Sequence, residues 1–168
     1  ISSSKAEIKE LLDKYKSNKI NHLVALRGDN PSGSINFGEL NYANELVNFI
    51  KSEMGDAFKI DVGAYPEVHP ESETAKQDFI NFKNKVEAGA DSAITQFFYN
   101  VDAYFKFVDE CQKNSINIPI VPGIMPIYNS KQLIRFANNC GAEIPRWLKF
   151  KLEDYSDDLE SLREFGVD

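Results

Sequence analysis

The sequence predicts an α/β fold of parallel βα units forming part of a (β/α)8 TIM barrel, incomplete at about four strands in a chain of 168 residues. Three observations predict it. Helical and strand patterns alternate along the chain, with a strand roughly every 25 to 35 residues. The strands read as short apolar runs, as they do when both faces of a sheet are buried. Each strand also hands over at its carboxyl end to a chemically loaded segment: Arg27-Gly28-Asp29, Tyr65-Pro66-Glu67-Val68-His69-Pro70, Gln96, and Pro122-Gly123-Ile124. Barrels carry their active sites on that face, on several strand ends at once, whereas open doubly wound sheets gather ligand at one switch point. No Gly-x-Gly-x-x-Gly follows a strand and no Walker loop is present, so a Rossmann or P-loop reading has no support. Four strands are too few to close a barrel, which takes about 250 residues.

The elements follow from local patterns. Ser4-Lys5-Ala6-Glu7 has the form of a capping box, and Ile8, Leu11, Leu12 and Tyr15 follow at helical spacing to a stop near Asn18. His22 to Leu26 is a short apolar strand. After a segment rich in Gly, Pro, Asn and Ser, Tyr42, Leu46, Phe49 and Ile50 mark a second helix. Phe58 to Ala64 is a strand, and Thr74 to Ala88 a helix closed by Gly89, which tolerates a left-handed backbone. Ala93 to Phe98 is a strand, Val101 to Lys113 a helix, Ile118 to Val121 a strand and Ser130 to Asn138 a helix. One last helical stretch is predicted from Pro145 to about Phe165.

Composition narrows the function classes. A net charge of −7 argues against broad nucleic-acid binding, which needs a basic footprint to displace counterions. It leaves room for one phosphate-bearing ligand, since backbone N–H groups and a few cations suffice to hold one. No apolar run approaches the ~20 residues of a membrane span, and no signal-peptide pattern stands at the start, so neither nucleic acid nor membrane is an expected partner. The chain opens on Ile1 and not on Met, which marks it as trimmed. Cys111 and Cys140 match no metal spacing and read as reduced thiols of a cytoplasmic protein. The acidic tail around Glu153, Asp157 and Glu160 reads as a solvated helix face.

Several residues have the chemistry of a site, each with an ordinary structural alternative. Arg27 would clamp a phosphate and Asp29 would sit beside an electron-poor ring or a developing cation, or the two form a structural pair at a turn. His69 precedes a proline, which holds it extended with its ring projecting from the loop, or it is a turn histidine bonded within that loop. With no second His or Cys at ligand spacing, a metal is not expected. His22, at the head of a strand, reads as structural. Asp78, Asn81 and Lys85 share a narrow polar stripe beside the apolar face of Ala75, Phe79, Phe82 and Val86; it lines a groove or is the boundary of an amphipathic helix. Gln96 offers a donor and an acceptor to a heteroaromatic edge, or is a satisfied polar residue of the barrel interior. Gln132, three residues after Asn129, has the default role of partner in a capping box. Phe97, Phe98, Tyr99, Tyr104, Phe105 and Phe107 read mostly as core.

Taken together, these segments resemble the methylenetetrahydrofolate reductase family in order, spacing and identity. The matching pieces are His22-Leu23-Val24-Ala25-Leu26-Arg27-Gly28-Asp29, Tyr42-Ala43, Ala64-Tyr65-Pro66-Glu67-Val68-His69-Pro70-Glu71, Ala93-Ile94-Thr95-Gln96-Phe97-Phe98, Pro122-Gly123-Ile124-Met125-Pro126-Ile127 and Ile144-Pro145. The resemblance runs from the first helix to about Trp147 and thins beyond it. It implies a (β/α)8 barrel carrying FAD at its strand ends, in a cytoplasmic flavoprotein of one-carbon metabolism that feeds methionine synthesis. NADH or NADPH gives hydride to the flavin, which then reduces 5,10-methylenetetrahydrofolate to 5-methyltetrahydrofolate.

By that resemblance Arg27, Gly28, Asp29, Ala43, Tyr65 and His69 contact FAD, and Asp78, Asn81 and Lys85 reach its ribityl, phosphate or adenosine portion. Asp29 also lies beside the folate ring as the catalytic carboxylate, Gln96 and Gln132 bind folate, and Phe136 stacks near the substrate or nicotinamide. One departure falls in the cofactor set: the position before Lys85 is often basic in the family and here is Asn84, which weakens or moves the phosphate grip. A larger one is extent. The family's barrel starts upstream, with a glutamate general acid and a flavin-contacting Thr and His, and ends downstream with a substrate-binding arginine. Residues 1–168 are therefore expected to be a single domain, the central portion of the barrel without its N-terminal and C-terminal units, and inactive alone. The alternative of a different class is a non-catalytic barrel fragment acting as a binding or assembly module. Either way, exposed strand edges predict self-association into a homo-oligomer.

Overall fold

A computed structural model describes residues 3–28, 38–155 and 158–167. Ser4 caps α1 (Lys5–Ser17): its hydroxyl accepts from the Glu7 N–H while Glu7 reaches back to the Ser4 N–H at 2.8 Å. β1 (His22–Ala25) follows, then α2 (Ala43–Met54), whose Glu45 carboxylate accepts from the Asn41 and Tyr42 N–H groups ahead of the first turn. A single 3-10 turn, Gly55–Ala57, leads into β2 (Lys59–Ala64). The remaining elements are α3 (Ala75–Glu87), β3 (Ser92–Phe97), α4 (Val101–Lys113), β4 (Ile120–Gly123), α5 (Ser130–Cys140), α6 (Arg146–Asp154) and α7 (Leu159–Phe165). The four strands form one parallel sheet in the order β1-β2-β3-β4. That sequential order is what right-handed βα crossovers generate, and it agrees with an arc of a TIM barrel.

By contacts the chain forms two compact units, each drawn from separate stretches. The first takes in the described parts of Ile1–Ala64 with Ile80–Ile94 and Ile118–Val121. Here β1 and β2 pair in parallel with Val24 opposite Asp61 and Ala25 opposite Val62. Ile60, Asp61 and Val62 are all buried, so β2 is covered on both faces there, although Asp61 interrupts its apolar run. Asp61 is held by Ser92, whose hydroxyl donates to it, and by His22, whose Nε2 lies 2.9 Å away. Val24 and Leu26, in contrast, are 53% and 58% exposed.

Asp91 ties this unit together at the amino end of β3. Its carboxylate accepts from the Ile60 N–H at 2.9 Å and from Lys51 and Lys59 at 3.1 and 3.3 Å. Burial works to raise its pKa, but the amide and the two ammonium groups outweigh that and hold it below the usual value. A carboxyl lowered in this way stabilises the fold fully above its unfolded pKa of about 3.8, and the contribution disappears as pH falls through the lowered folded value. Urea titrations of wild type and Asp91→Asn should therefore show a clear midpoint difference at pH 6 that closes in the acid range below pH 3.8. A difference unchanged with pH would mean that the charge of Asp91 is not what stabilises the unit.

The second unit takes in Tyr65–Phe79, Thr95–Asn117 and the described parts of Pro122–Asp168. Its core is Phe97, Ile127, Leu133, Ala137, Leu148 and Leu162, with their neighbours on α5, α6 and α7. The single helix predicted from Pro145 to Phe165 is in fact two. α6 ends at Tyr155, and Asp158 starts α7 as an N-cap whose side chain accepts from the Ser161 N–H. An aspartate bonded to backbone ahead of it competes with helix continuation, which is why the acidic run breaks the helix. β4 also begins two residues later than predicted, since Pro119 offers a carbonyl to Ala93 but has no N–H for the ladder. Pro122 is then inside β4, a strand at the end of the sheet order, where proline is tolerated. Tyr99 is half-buried, with its hydroxyl donating to the Met125 carbonyl, and burial pushes its pKa up to about 12. Burial, helped by Glu110, likewise pushes the Cys111 thiol up to about 11, which makes it an inert core group.

Among the described residues no helix is long and apolar enough to cross a membrane.

Candidate functional site

In the first unit, Arg27 leaves the end of β1 and turns back so that its Nε donates to the Gly28 carbonyl at 3.3 Å. Gly28 has φ +75°, and among the described residues nothing lies within 4 Å of where a Cβ would stand. The glycine is thus required by backbone conformation and not by crowding from those residues. Asp29 lies outside the described residues. Ala43 opens α2, half-buried. On α3, Lys85 donates to the Gly63 carbonyl and its ammonium lies 5.8 Å from the Phe82 ring centroid, while Asn81 and Asn84 are exposed.

In the second unit the loop after β2 brings together Tyr65, His69 and Asp78. The Tyr65 and His69 rings meet edge to face with centroids 4.4 Å apart. His69 Nδ1 accepts from the Glu71 N–H at 3.0 Å, which in the neutral ring puts the proton on Nε2 and makes that nitrogen the donor. So His69 is bonded within its own loop, and in the neutral ring its donor is Nε2–H. Asp78 turns both oxygens onto the same loop: Oδ2 accepts from the His69 N–H and Oδ1 from the Ser72 hydroxyl, each at 3.0 Å. On the polar stripe of α3, Asp78 bonds to the His69 N–H and the Ser72 hydroxyl, and Lys85 to the Gly63 carbonyl.

Gln96 is half-buried, and its Oε1 accepts from the N–H of Phe97 at 3.1 Å, so the amide NH2 is the group it presents. Beside it, buried Thr95 accepts from the Gly123 N–H at 2.9 Å. Asn129 caps α5 by accepting from the Gln132 N–H at 3.0 Å, the backbone half of the predicted capping box, and the Gln132 residue is exposed. Phe136 lies one turn further on the same helix face, 38% exposed, with the Arg135 guanidinium 5.9 Å from its ring centroid. Gln132 and Phe136 thus offer an amide and a ring side by side. Sequence reasoning missed Arg135, whose only signal is adjacency to Phe136, and left Glu67 without a role.

The chemistry available is recognition: cations in the first unit, and hydrogen-bond donors, amides and an exposed ring in the second. None of these side chains carries electrons, so redox chemistry here requires a bound group that does.

Comparisons with known proteins show the family. The sequence profile of the family described as "Methylenetetrahydrofolate reductase" matches residues 1–168. The chain is 45% identical over 166 residues to the 5,10-methylenetetrahydrofolate reductase of Buchnera aphidicola from Schizaphis graminum, covering 99% of this chain and 56% of that protein. It is 43% identical over 167 residues to the Escherichia coli K12 enzyme of the same name, covering 99% and 55%. Against methylenetetrahydrofolate reductase (NADH) 1 of Arabidopsis thaliana it is 41% identical over 174 residues, covering 96% and 29%. The chain thus spans about half the length of the bacterial relatives it matches. A solved structure, an uncharacterised protein from Clostridium thermocellum that binds two copies of 5-methyl-5,6,7,8-tetrahydrofolic acid, shares the fold at TM-score 0.53 and 20% identity, covering 92% of this chain and 55% of that one. With its strand-end residues in the family's order and the family profile matched from end to end, the chain belongs to the methylenetetrahydrofolate reductase family.

Proposed function

We propose that this chain is the central portion of a (β/α)8 barrel enzyme that reduces 5,10-methylenetetrahydrofolate to 5-methyltetrahydrofolate, with FAD as bound cofactor and NADH or NADPH as reductant. The observation that carries the reading is the family match over residues 1–168. The residues present fit the cofactor. Gly28 is a left-handed glycine just beyond β1, His69 offers an Nε2–H donor, and Lys85 is a cation whose ammonium meets the Gly63 carbonyl. Flavin, when bound, supplies the electron-carrying ring that the side chains lack.

In this reading Arg27 and Lys85 balance phosphate charge, and Ala43, Tyr65, Asn81 and Asn84 border the cofactor. Gln96 and Gln132 turn their amides to the folate ring, and Phe136 gives the substrate or nicotinamide a stacking surface. Asp29 places a carboxylate beside the cationic form of the folate, where negative charge stabilises what develops in the reaction. Electrostatic support of that kind typically governs a factor of roughly 10² to 10³ in rate. Exposed Val24 on β1 and Leu26 just beyond it are apolar surface suited to further barrel units or to a second copy in a homo-oligomer. The Clostridium thermocellum protein's ligand, a tetrahydrofolate, is consistent with a folate site on this fold.

The test uses the full-length gene product. It should purify yellow and oxidise NADH or NADPH at a rate that depends on 5,10-methylenetetrahydrofolate, whereas residues 1–168 alone should show no turnover. A colourless but folded full-length protein with no folate-dependent oxidation would sink the proposal.

A further inference from the structure

Glu67 belongs to the loaded loop after β2, yet nothing in the reaction above uses it. Its Oε2 accepts from the Glu143 N–H at 2.9 Å, a bond between residues 76 apart in sequence. Its Oε1 is buried and has no hydrogen-bond partner among the described residues. Glu143 lies in the α5–α6 connection, just beyond Gly141, where α5 ends in a left-handed residue. The same two segments meet again at Gly141, where a Cβ would stand 3.2 Å from the Val68 carbonyl oxygen and 3.2 Å from Pro70 Cγ. The Glu143 carboxylate is bonded in turn by Asn100, at 3.2 Å, from the segment between β3 and α4. Glu67 is therefore the polar bond in a tight contact between the loop that carries Tyr65 and His69 and the end of the helix that carries Gln132 and Phe136.

We propose that Glu67 is a positioning residue, whose carboxyl latches the α5–α6 connection onto the β2–α3 loop and so sets the spacing between Tyr65 and His69 on one side and Gln132 and Phe136 on the other. The inference rests on the functional reading above, which gives the first pair to flavin, Gln132 to folate and Phe136 to the substrate or nicotinamide. Burial, together with the nearby Glu143 carboxylate, raises the Glu67 pKa against the pull of the Glu143 N–H, so its use here is as an acceptor and does not depend on a fixed charge. An uncharged isostere with the same oxygen should serve equally well.

The latch is asymmetric. The β2–α3 loop has a second anchor in Asp78, which holds His69 and Ser72. Glu143 is exposed, so its N–H can turn to water when the latch is lost, and global stability should change little. What should move is α5, and with it the folate side. Small misplacements of a reacting partner lower rates steeply, by up to about 10²-fold for 1 Å.

The experiment is steady-state kinetics on the full-length reductase, with Glu67→Ala, Glu67→Gln and Glu67→Asp. Two reactions are read: folate reduction, and NADH oxidation with a quinone as acceptor, which needs no folate. Glu67→Ala should raise the folate KM about tenfold and leave the quinone reaction, read as its maximal rate at saturating NADH, within about twofold of wild type. Glu67→Gln should restore the folate KM to within about twofold. Should Glu67→Ala fail to fold, Glu67→Asp, which withdraws the carboxylate by one methylene, should show the same rise in folate KM. Wild-type folate KM in Glu67→Ala, a parallel fall of both reactions, or no rescue by Gln would each overturn the latch. A wild-type protein with no folate-dependent oxidation is a different result: it overturns the functional reading, and the latch with it.

Discussion

Gly123→Ala is expected to lower stability by about 3 kcal/mol or more, among the larger effects of a single methyl group. A Cβ at this position would stand 2.1 Å from the Thr95 carbonyl oxygen and 3.2 Å from the Thr95 carbonyl carbon. Both obstacles are main chain, so no side-chain rotation relieves the clash, and the strands themselves must separate. Separation also breaks the bond from the Gly123 N–H to the Thr95 hydroxyl, which is buried at 5% exposure. For a chain of 168 residues a loss of this size corresponds to a fall of roughly 6 to 12 °C in Tm, read by calorimetry or circular dichroism. Gly63→Ala is the matched control. A Cβ there would meet only Leu26 Cδ2, at 3.5 Å, an ordinary contact, and its effect should stay within about 0.5 kcal/mol. Equal effects at the two glycines would mean that close strand approach at Gly123 is not what requires a glycine there.

This glycine shows where sequence reading stops. In the sequence Pro122-Gly123 reads as part of the loaded segment beyond the strand predicted to end at Val121. The structure puts both residues inside β4, and Gly123 is not among the positive-φ glycines. Its need is steric and comes from a strand that is distant in sequence. Elements set by their own periodicity were legible: α4 spans Val101–Lys113 as predicted, and the Ser4 box starts α1. A boundary set by competing side-chain bonds, as at Asp158, was not. The site divides in the same way. Residue types at strand ends could be named from order and spacing, but the internal bonds of Asp78, Gln96 and Lys85 depend on where loops and carbonyls come to lie. The Glu67–Glu143 bond spans 76 residues with no pattern to announce it.

For Asp78 the difference between those two levels has a measurable consequence. The family resemblance makes it a cofactor contact, while in the structure both its oxygens bond to protein: Oδ2 to the His69 N–H and Oδ1 to the Ser72 hydroxyl. We therefore expect its effect on FAD to run through the shape of the loop. Asp78→Ala removes both acceptors; each hydrogen bond to a charged group contributes about 1.5 to 3 kcal/mol, and the His69 ring is no longer held against Tyr65. FAD affinity in the full-length apoprotein should fall about 10- to 100-fold, measured by fluorescence titration. Amide exchange at His69 should quicken even without FAD.

Asp78→Asn separates loop shape from direct contact. Its amide oxygen can still accept from the His69 N–H, and its NH2 can donate to the Ser72 hydroxyl, which accepts as readily as it donates. If the aspartate acts by shaping the loop, Asp78→Asn should hold FAD within about threefold of wild type, less than one ordinary hydrogen bond's worth. A negative charge turned directly on the cofactor's hydroxyls would instead be lost in both variants. Equal losses in Asp78→Asn and Asp78→Ala, with His69 exchange unchanged in the apoprotein, would return Asp78 to the role of direct ligand. Asp78 differs here from Arg27 and Lys85, which the proposed function sets against phosphate by their positive charge: neutral isosteres there should not rescue binding, because no rearrangement of hydrogen bonds replaces a missing cation.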